Sequence, residues 1–357
     1  MIVAPEHRLD IIPRKILVIQ LGDIGDVVWS IPTFRAIKAS FPAAGLFVVT
    51  RKPYGDLLLD DVSIEKIFQV SGGGIWPQIK PIWEIKKERF DLLFDLRGDD
   101  RGAVMSLLSG ARTRCALYYP GLHLRNRAFT HLIEKPVPRE KKYGAAEQSL
   151  RIMRKFGIPE VTYAPQISVK EETKKKVERL LVAEGIATGS AWVSVNPFSR
   201  WSYKEWDAGK WREVISFIWR EYHLPAVIVG SVEEQKRAEI LISDTASPVI
   251  NLTGRTNLRE LAALLKMSKL HIGVDSAPPH IAAAVGTPNL TIYGPSDWRD
   301  WVLPDKKNQV VVTDMPCSPC YQKGCDGSGI SKCLEDITAD MVTANVRTIM
   351  DALIYQA

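Results

Sequence analysis

Short apolar runs alternate with longer amphipathic segments along most of the chain. KILVIQL at 15–21 is typical of a buried parallel strand, and LFVVT at 46–50 and FDLLFDL at 90–96 predict further strands. Between the first two strands, apolar residues recur at helical spacing, which predicts a helix over 27–40: Val28, Ile31, Phe34 and Ile37. Another helix is predicted within GAAEQSLRIMRKFGI, which starts at 144.

The second half of the chain repeats this alternation. Strands are predicted at 191–197, 225–230, 248–252, 269–275 and 288–294, and helices up to about 222 and at 233–243, 257–267 and 278–285. Strands joined through helices predict parallel sheets with helices on both faces. The length suits two such doubly wound α/β domains facing a cleft, 1–165 and 166–357, with a linker and connecting helix in the lysine-rich stretch 168–184.

Composition and charge narrow the possible partners. Hydrophobic content of 46% and charged content of 25% are those of a soluble protein. The first residues lack a signal-peptide core, and no apolar run reaches the ~20 residues of a membrane span, so we expect a cytoplasmic protein. The net charge is +6, and residues 101–155 hold 12 Lys and Arg against 3 Asp and Glu. This segment predicts either an anionic partner or a solvated basic face, and no nucleic-acid motif accompanies it.

The first candidate site is the turn Gly22-Asp23-Ile24-Gly25-Asp26, between a strand and a helix. Backbone N–H groups at such a helix start, including that of Gly25, favour an anion. The spacing differs from the G-x-G-x-x-G of dinucleotide binding, which disfavours a dehydrogenase. Asp26 is either a general base for an attacking hydroxyl or a helix N-cap.

The second candidate site follows the strand at 269–275. Asp275, Ser276 and Ala277 stand where that strand turns into a helix, a place suited to a diphosphate. His280, one turn later, either contacts a phosphate or packs in the core.

The third candidate site is the loop after the strand at 191–197. Ser199 and Lys204 suit a phosphate, although Lys204 on a solvated surface is the alternative. After the next strand, Glu233 or Glu234 stands where a carboxylate meets ribose hydroxyls, and the sequence does not choose between them.

Four of the five cysteines form a C-x2-C-x4-C-x7-C cluster: Cys317, Cys320, Cys325 and Cys333. Four thiols at short spacing hold zinc or iron in many proteins, but this spacing is not that of a standard zinc finger. Reduced structural thiols, a metal site and a disulfide remain open, the disulfide being disfavoured in a cytoplasmic protein.

Three segments resemble family 9 glycosyltransferases, the ADP-heptose:lipopolysaccharide heptosyltransferases. They are ILVIQLGDIGDVVWSIPTFRAIKASFP from 16, FDLLFDLRGDDRGAVMSLLSGARTR from 90, and IGVDSAPPHIAAAVGTPNLTIYGPSD from 272. The third contains D-S-x-x-x-H-x-A-A-A-x-G-x-P, the most specific part. Ala277 stands where a glycine is more usual, and Pro278-Pro279 also departs from the common form.

The resemblance implies a GT-B fold with two Rossmann-like domains, the first binding the acceptor and the second binding ADP-heptose. It implies that Asp26 is the catalytic base of an inverting transfer that needs no metal. Donor contacts are expected from Gly25, Ser199, Lys204, Glu233 or Glu234, Asp275, Ser276, Ala277 and His280. The anionic lipid A–Kdo acceptor is expected to meet Arg97, Arg101, Arg112, Arg114, Arg125 and Arg127, with peripheral contact at the inner membrane. Related protein heptosyltransferases carry a metal finger, which keeps zinc or iron open for the cysteines.

Two other functions compete with this hypothesis. A heptosyl- or hexosyltransferase acting on a protein or another glycan would share the chemistry and differ in acceptor. A non-catalytic nucleotide-sugar-binding module would bind the donor without releasing ADP, so turnover distinguishes it.

Overall fold

Each half of the chain folds around its own parallel sheet. The computed structural model describes residues 1–71, 76–136, 141–303 and 305–354. The chain divides into two units, Met1–Ser168 and Val169–Ala357.

The first unit has the strand order β1-β7-β6-β5-β2-β3-β4, and all neighbouring strands are parallel. Its strands are β1 (Ile2–Ala4), β2 (Lys15–Gln20), β3 (Gly45–Arg51), β4 (Lys66–Val70), β5 (Leu92–Asp95), β6 (Thr113–Leu117) and β7 (His131–Ile133). Its helices are α1 (Ile24–Trp29), α2 (Ile31–Ser40), α3 (Trp76–Glu88), α4 (Asp100–Ser109), α5 (His123–Asn126) and α6 (Glu147–Lys155).

The second unit has the order β10-β9-β8-β11-β12-β13, again all parallel. Its strands are β8 (Val193–Asn196), β9 (Ala226–Ile228), β10 (Val249–Asn251), β11 (Leu270–Val274), β12 (Asn289–Ile292) and β13 (Asn308–Val311). Its helices are α7 (Glu171–Ala183), α8 (Ala208–Tyr222), α9 (Gln235–Ser243), α10 (Leu258–Met267), α11 (Ala277–Val285), α12 (Lys332–Asp336) and α13 (Ala339–Ile354).

Both sheets have the strand order of the Rossmann fold. Apart from β1, which pairs with β7 at the edge of the first sheet, the first strand of each sheet (β2 or β8) lies in the middle. The chain then adds strands outward on one side before crossing to β5 or β11 on the other. Ligands of such sheets bind beyond the carboxyl ends of the strands at this switch point. The loops after β2, β5, β8 and β11 are therefore where functional side chains are expected.

The apolar runs predicted as strands form the two cores. Leu17 and Ile19 of β2 pack with Phe47 and Val49 of β3 and with Leu93 of β5. Such continuous apolar strands are expected where helices cover both faces of a sheet. The predicted α/β class with two doubly wound sheets is confirmed.

One predicted element is divided in the structure. The helix expected over 27–40 is two helices, α1 and α2, which meet at Ser30. Pro32 lies in the first turn of α2, where its missing N–H costs nothing, whereas inside one continuous helix it would clash with the preceding turn. Within the described residues, no helix combines the length and apolarity that crossing a bilayer requires.

Candidate active site

Asp26 lies in the first turn of α1, directly after β2. The N-cap of this helix is Asp23, so the alternative in which Asp26 is the N-cap is wrong. The backbone N–H of Asp23 donates to Oδ2 of Asp26 at 2.8 Å, which folds the carboxylate back over the turn. A Cβ on Gly22 would stand 2.4 Å from that Oδ2, so only glycine permits this close approach.

The Arg97 guanidinium donates to the same Oδ2 of Asp26 at 3.0 Å. Arg97 follows β5, so the two side chains come from neighbouring strands at the switch point. Burial raises the pKa of Asp26, and the charge of Arg97 lowers it by a smaller amount. The result is a mostly buried carboxylate, 19% exposed, whose pKa lies above the ordinary value and which suits a general base.

Asp95 supports the turn that carries Arg97. Its Oδ1 accepts the backbone N–H groups of Arg97 at 3.1 Å and Gly98 at 2.9 Å. Its Oδ2 is buried and has no hydrogen-bond partner among the described residues, and burial raises its pKa to about 7. A Cβ on Gly102 would stand 2.3 Å from Oδ2, so α4 crosses directly over the carboxylate. Sequence reasoning missed Asp95, although a charged residue ending an apolar strand at the switch point was a signal for it.

A cavity of about 220 Å³ opens beside Asp26 within the first unit. Arg97, Lys135 and Arg151 line it together with polar groups such as Gln148. Nε of Arg151 is buried and has no hydrogen-bond partner among the described residues. Three cations around one carboxylate fit an anionic molecule whose hydroxyl meets Asp26. Lys135 and Arg151 lie in the basic segment, but no motif marked them in the sequence.

The other predicted acceptor arginines have different places. Arg125 stacks over the ring of Tyr119 at 4.1 Å, and Tyr119 lines the cavity and donates its hydroxyl to the carbonyl of Arg97 at 2.9 Å. Arg114 donates to the carbonyls of Ala128 and Ala111, both at 2.6 Å, and so braces the backbone. The remaining three, Arg101, Arg112 and Arg127, are exposed and do not line the cavity.

We expect Arg97→Gln to move the acid limb of the kcat–pH profile to higher pH. A base acts as its carboxylate, so the rate falls as pH drops through the pKa of Asp26. Since Arg97 lowers this pKa, removing its charge raises the pKa further. The control is the kcat–pH profile of Arg51→Gln, which removes a cation that pairs with Asp23 at 2.9 Å rather than with Asp26. An acid limb that stays in place in Arg97→Gln would show that Arg97 does not control the base.

In the second unit, Lys204 and Asp275 form an ion pair at the switch point. Lys204 ends the short turn Ser202–Lys204 after β8, and Asp275 follows β11. Nζ of Lys204 lies 2.6 Å from Oδ2 of Asp275, and the side chains are 20% and 7% exposed. The charges of Asp275 and Lys204 both act on His280. Burial lowers the pKa of His280 to about 4, so its ring is neutral at pH 7. These three predicted donor residues are therefore brought together.

A hydrogen-bond network orders the loops around this ion pair. The Ser276 hydroxyl donates to Oδ1 of Asn196 at 2.6 Å, and Nδ2 of Asn196 donates to the carbonyl of Val229 at 3.0 Å. The Ser199 hydroxyl donates to the carbonyl of Asp275 at 3.4 Å. Ala277 opens α11 with Ser276 as its N-cap, and the adjacent prolines occupy the first turn, where they are compatible with a helix. Asn196, the last residue of β8, was not predicted as a site residue.

The turn after β9 repeats the geometry of the turn after β2. The backbone N–H of Ser231 donates to Oε2 of Glu234 at 2.6 Å, and a Cβ on Gly230 would stand 2.5 Å from that atom. Burial raises the pKa of Glu234, whereas the side chain of Glu233 is exposed to solvent. Both carboxylates lie in this turn, and both remain candidates for the ribose.

The cysteine cluster packs against the turn that carries Lys204. Ser331, two residues before Cys333, donates its hydroxyl to the carbonyl of Tyr203 at 2.6 Å. Burial, together with the other three thiols of the cluster, raises the pKa of Cys333 to about 11. All four are free thiols, and in the described parts of the chain no three Cys, His, Asp or Glu side chains are arranged to hold a metal ion. Zinc or iron at this cluster therefore stays a prediction.

Two parallel sheets of Rossmann strand order, each with an ion pair at its switch point, define a doubly wound α/β protein with a candidate ligand site in each half. Residues 80–330 match the model of glycosyltransferase family 9 (heptosyltransferase), and the chain belongs to this family. It is accordingly a glycosyltransferase.

Individual relatives agree with this assignment over most of the chain. Lipopolysaccharide heptosyltransferase 3 of Escherichia coli is 28% identical over 292 residues, which cover 78% of this chain and 82% of that protein. A family 9 glycosyltransferase of Veillonella parvula has a similar structure, with a TM-score of 0.81, 18% identity and coverage of 97% and 99% of the two chains. E. coli ADP-heptose lipopolysaccharide heptosyltransferase II gives a TM-score of 0.76 at 21% identity, covering 96% and 100%.

Proposed function

We propose that this glycosyltransferase moves heptose from ADP-heptose to the inner core of lipopolysaccharide. The family and the heptosyltransferases among its relatives support this donor and this acceptor. The observation that carries the proposal is Asp26, a carboxylate of raised pKa at the wall of a cationic cavity.

The proposed reaction is a single displacement with inversion. Asp26 takes the proton of an acceptor hydroxyl as its oxygen attacks the anomeric carbon of the heptose. The bond from this carbon to the ADP oxygen breaks, and ADP leaves with the electron pair. General-base help of this kind contributes typically ~10²–10⁴-fold. The resemblance implies that no metal takes part in this step.

On the donor side, we assign the diphosphate to the groups around the Lys204–Asp275 pair. Lys204 would turn from Asp275 to the leaving phosphate, with hydrogen bonds from Ser199, Ser276, the backbone of Ala277 and neutral His280. We assign the ribose hydroxyls to Glu233 or Glu234. Gly25, beside Asp26, would offer its backbone to the transferred group.

On the acceptor side, we assign the acidic groups of a lipid A–Kdo acceptor to the cavity of the first unit. Arg97, Lys135 and Arg151 supply the positive charge there, and Arg125 borders it through Tyr119. Such an acceptor is anchored in lipid, so the enzyme would work in peripheral contact with the cytoplasmic face of the inner membrane.

We expect Lys135→Gln combined with Arg151→Gln to raise the acceptor KM at least about tenfold, since hydrogen bonds to charged groups contribute about 1.5–3 kcal/mol each. Affinity for ADP should not change, because both cations lie in the first unit. Initial rates at varied acceptor and salt concentration measure the effect, with Lys175→Gln, an exposed lysine on α7, as the control. An unchanged acceptor KM would remove the cavity from the acceptor site.

The function itself is tested by ADP release with a panel of donors and acceptors. We expect ADP release from ADP-heptose with truncated lipid A–Kdo acceptors, and little from ADP-glucose or with protein acceptors. Release only with a protein or another glycan would replace the acceptor assigned here. Donor binding with no release on any acceptor would contradict the proposal as a whole.

A further inference from the structure

Helix α4 and the short helix α5 expose large apolar side chains next to each other. On α4, Val104, Leu107 and Leu108 are 54%, 56% and 42% exposed. Leu122 and Leu124, at the start of α5, are 44% and 83% exposed, and the two helices pack together. Single exposed apolar residues are common, but a grouped set marks an interaction surface.

The side of α4 opposite these exposed residues is buried. Ala103 packs against Ala128 and Phe129, which follow α5, and Met105 belongs to the main core. Val104, Leu107 and Leu108 are spaced three and four residues apart, so they share one helix face, opposite the buried one. No residue of the described core covers this face.

Arginines predominate around these apolar residues, although Asp99 and Asp100 stand at the start of α4. The sequence from Arg101 to Ile133 contains five arginines and no Asp or Glu. Arg101, Arg112 and Arg127 are exposed, and the ion pair of Arg101 with Asp99 is long, at 3.8 Å. Leucine beside arginine is the composition of helices that lie in the interface of an anionic membrane. A second copy of the chain would instead bring arginine against arginine.

The same elements also form the wall of the acceptor cavity. Leu96 and Arg97 line the cavity and directly precede α4, and Arg125 of α5 stacks over Tyr119, another lining residue. A lipid-linked molecule held at the exposed face would thus have its polar end close to Asp26.

We propose that this docking face seats the enzyme on an anionic phospholipid bilayer. It consists of Arg101, Val104, Leu107, Leu108, Arg112, Leu122, Leu124 and Arg127. The leucines enter the interface between headgroups and acyl chains, and the arginines contact lipid phosphates. The inference rests on the proposed function in one respect, namely that the acceptor is lipid-linked.

Sedimentation with vesicles tests the face directly. The full chain should bind phosphatidylglycerol/phosphatidylcholine vesicles on the order of 100-fold more tightly than phosphatidylcholine vesicles, because each of the three arginines adds about fivefold to the affinity for an anionic surface. Leu107→Gln with Leu124→Gln should weaken binding about tenfold or more. The matched control is Val62→Gln with Ile240→Gln, which are 101% and 70% exposed and lie outside the face. Arg112→Gln with Arg127→Gln should remove most of the preference for anionic lipid.

The outcomes separate this face from the proposed function. The leucine variant should keep the wild-type melting temperature and wild-type turnover on a soluble, lipid-free core oligosaccharide. Equal vesicle binding by the leucine variant and its control would overturn the docking face. The docking face would also be overturned if the wild type bound no vesicles but formed a dimer that the leucine variant abolished. Vesicle binding lost in the leucine variant, with no turnover by any form, would support the face and overturn the proposed function instead.

Discussion

Replacing Asp26 by asparagine is expected to lower kcat by about 10²–10⁴-fold while leaving the affinity for ADP-heptose unchanged. The amide keeps the shape of the side chain, and its oxygen still accepts the N–H of Asp23, so the first turn of α1 survives. What disappears is the group that accepts the proton. Single-turnover rates measure the chemical step, and isothermal calorimetry with ADP-heptose measures binding.

The neighbouring Asp23→Asn is the matched control for this substitution. Asparagine caps a helix about as well as aspartate, so this variant should fold and turn over like the wild type. If Asp26→Asn also turned over at the wild-type rate, Asp26 would be a structural residue of α1 and the base would have to be sought elsewhere.

Replacing Lys204 by alanine is expected to weaken ADP binding about 10–100-fold, the value of a hydrogen bond to a charged group. It should also lower kcat, because negative charge grows on the diphosphate as the bond breaks. Calorimetry with ADP measures the first effect, and single-turnover rates at saturating donor measure the second.

Loss of Lys204 also leaves Asp275, 7% exposed, without its cation, which is costly in a buried site. A melting curve of Lys204→Ala separates this cost from the effect on binding, and the double variant Lys204→Ala, Asp275→Asn removes the unpaired charge. The control is Lys236→Ala, an exposed lysine on α9. Unchanged ADP affinity in the stable double variant would count against Lys204 as a phosphate contact.

The sequence predicted those parts of the fold that are buried on both faces. β2, β3 and β11 carry mostly apolar residues, β8 (VSVN) is fully buried, and all four were placed within one or two residues of their observed bounds. Several strands nearer the edges were missed, although β10, at the edge of the second sheet, was predicted. β4 (KIFQV) and β6 (TRCAL) carry charged or polar residues, since part of their surface meets solvent, and β1 and β7 are three residues each.

The candidate site was predictable where residues follow the central strands of the sheet. Asp26, Lys204 and Asp275 stand in the turns after β2, β8 and β11, so strand prediction and motif spacing both pointed to them. Lys135 and Arg151 come to the cavity from a loop and a helix, where no spacing rule applies. Arg114 shows the reverse case, since charge alone suggested an acceptor contact and its guanidinium caps backbone carbonyls instead.

The most direct measurement is the structure of the product that the wild-type enzyme makes from ADP-heptose and a truncated lipid A–Kdo acceptor. Mass spectrometry reports whether one heptose is added, and the one-bond carbon–proton coupling at the anomeric position reports its configuration. A single displacement with Asp26 as base predicts one added heptose with the anomeric configuration opposite to that of the donor. An unmodified acceptor, or a heptose that retains the configuration of the donor, would contradict it.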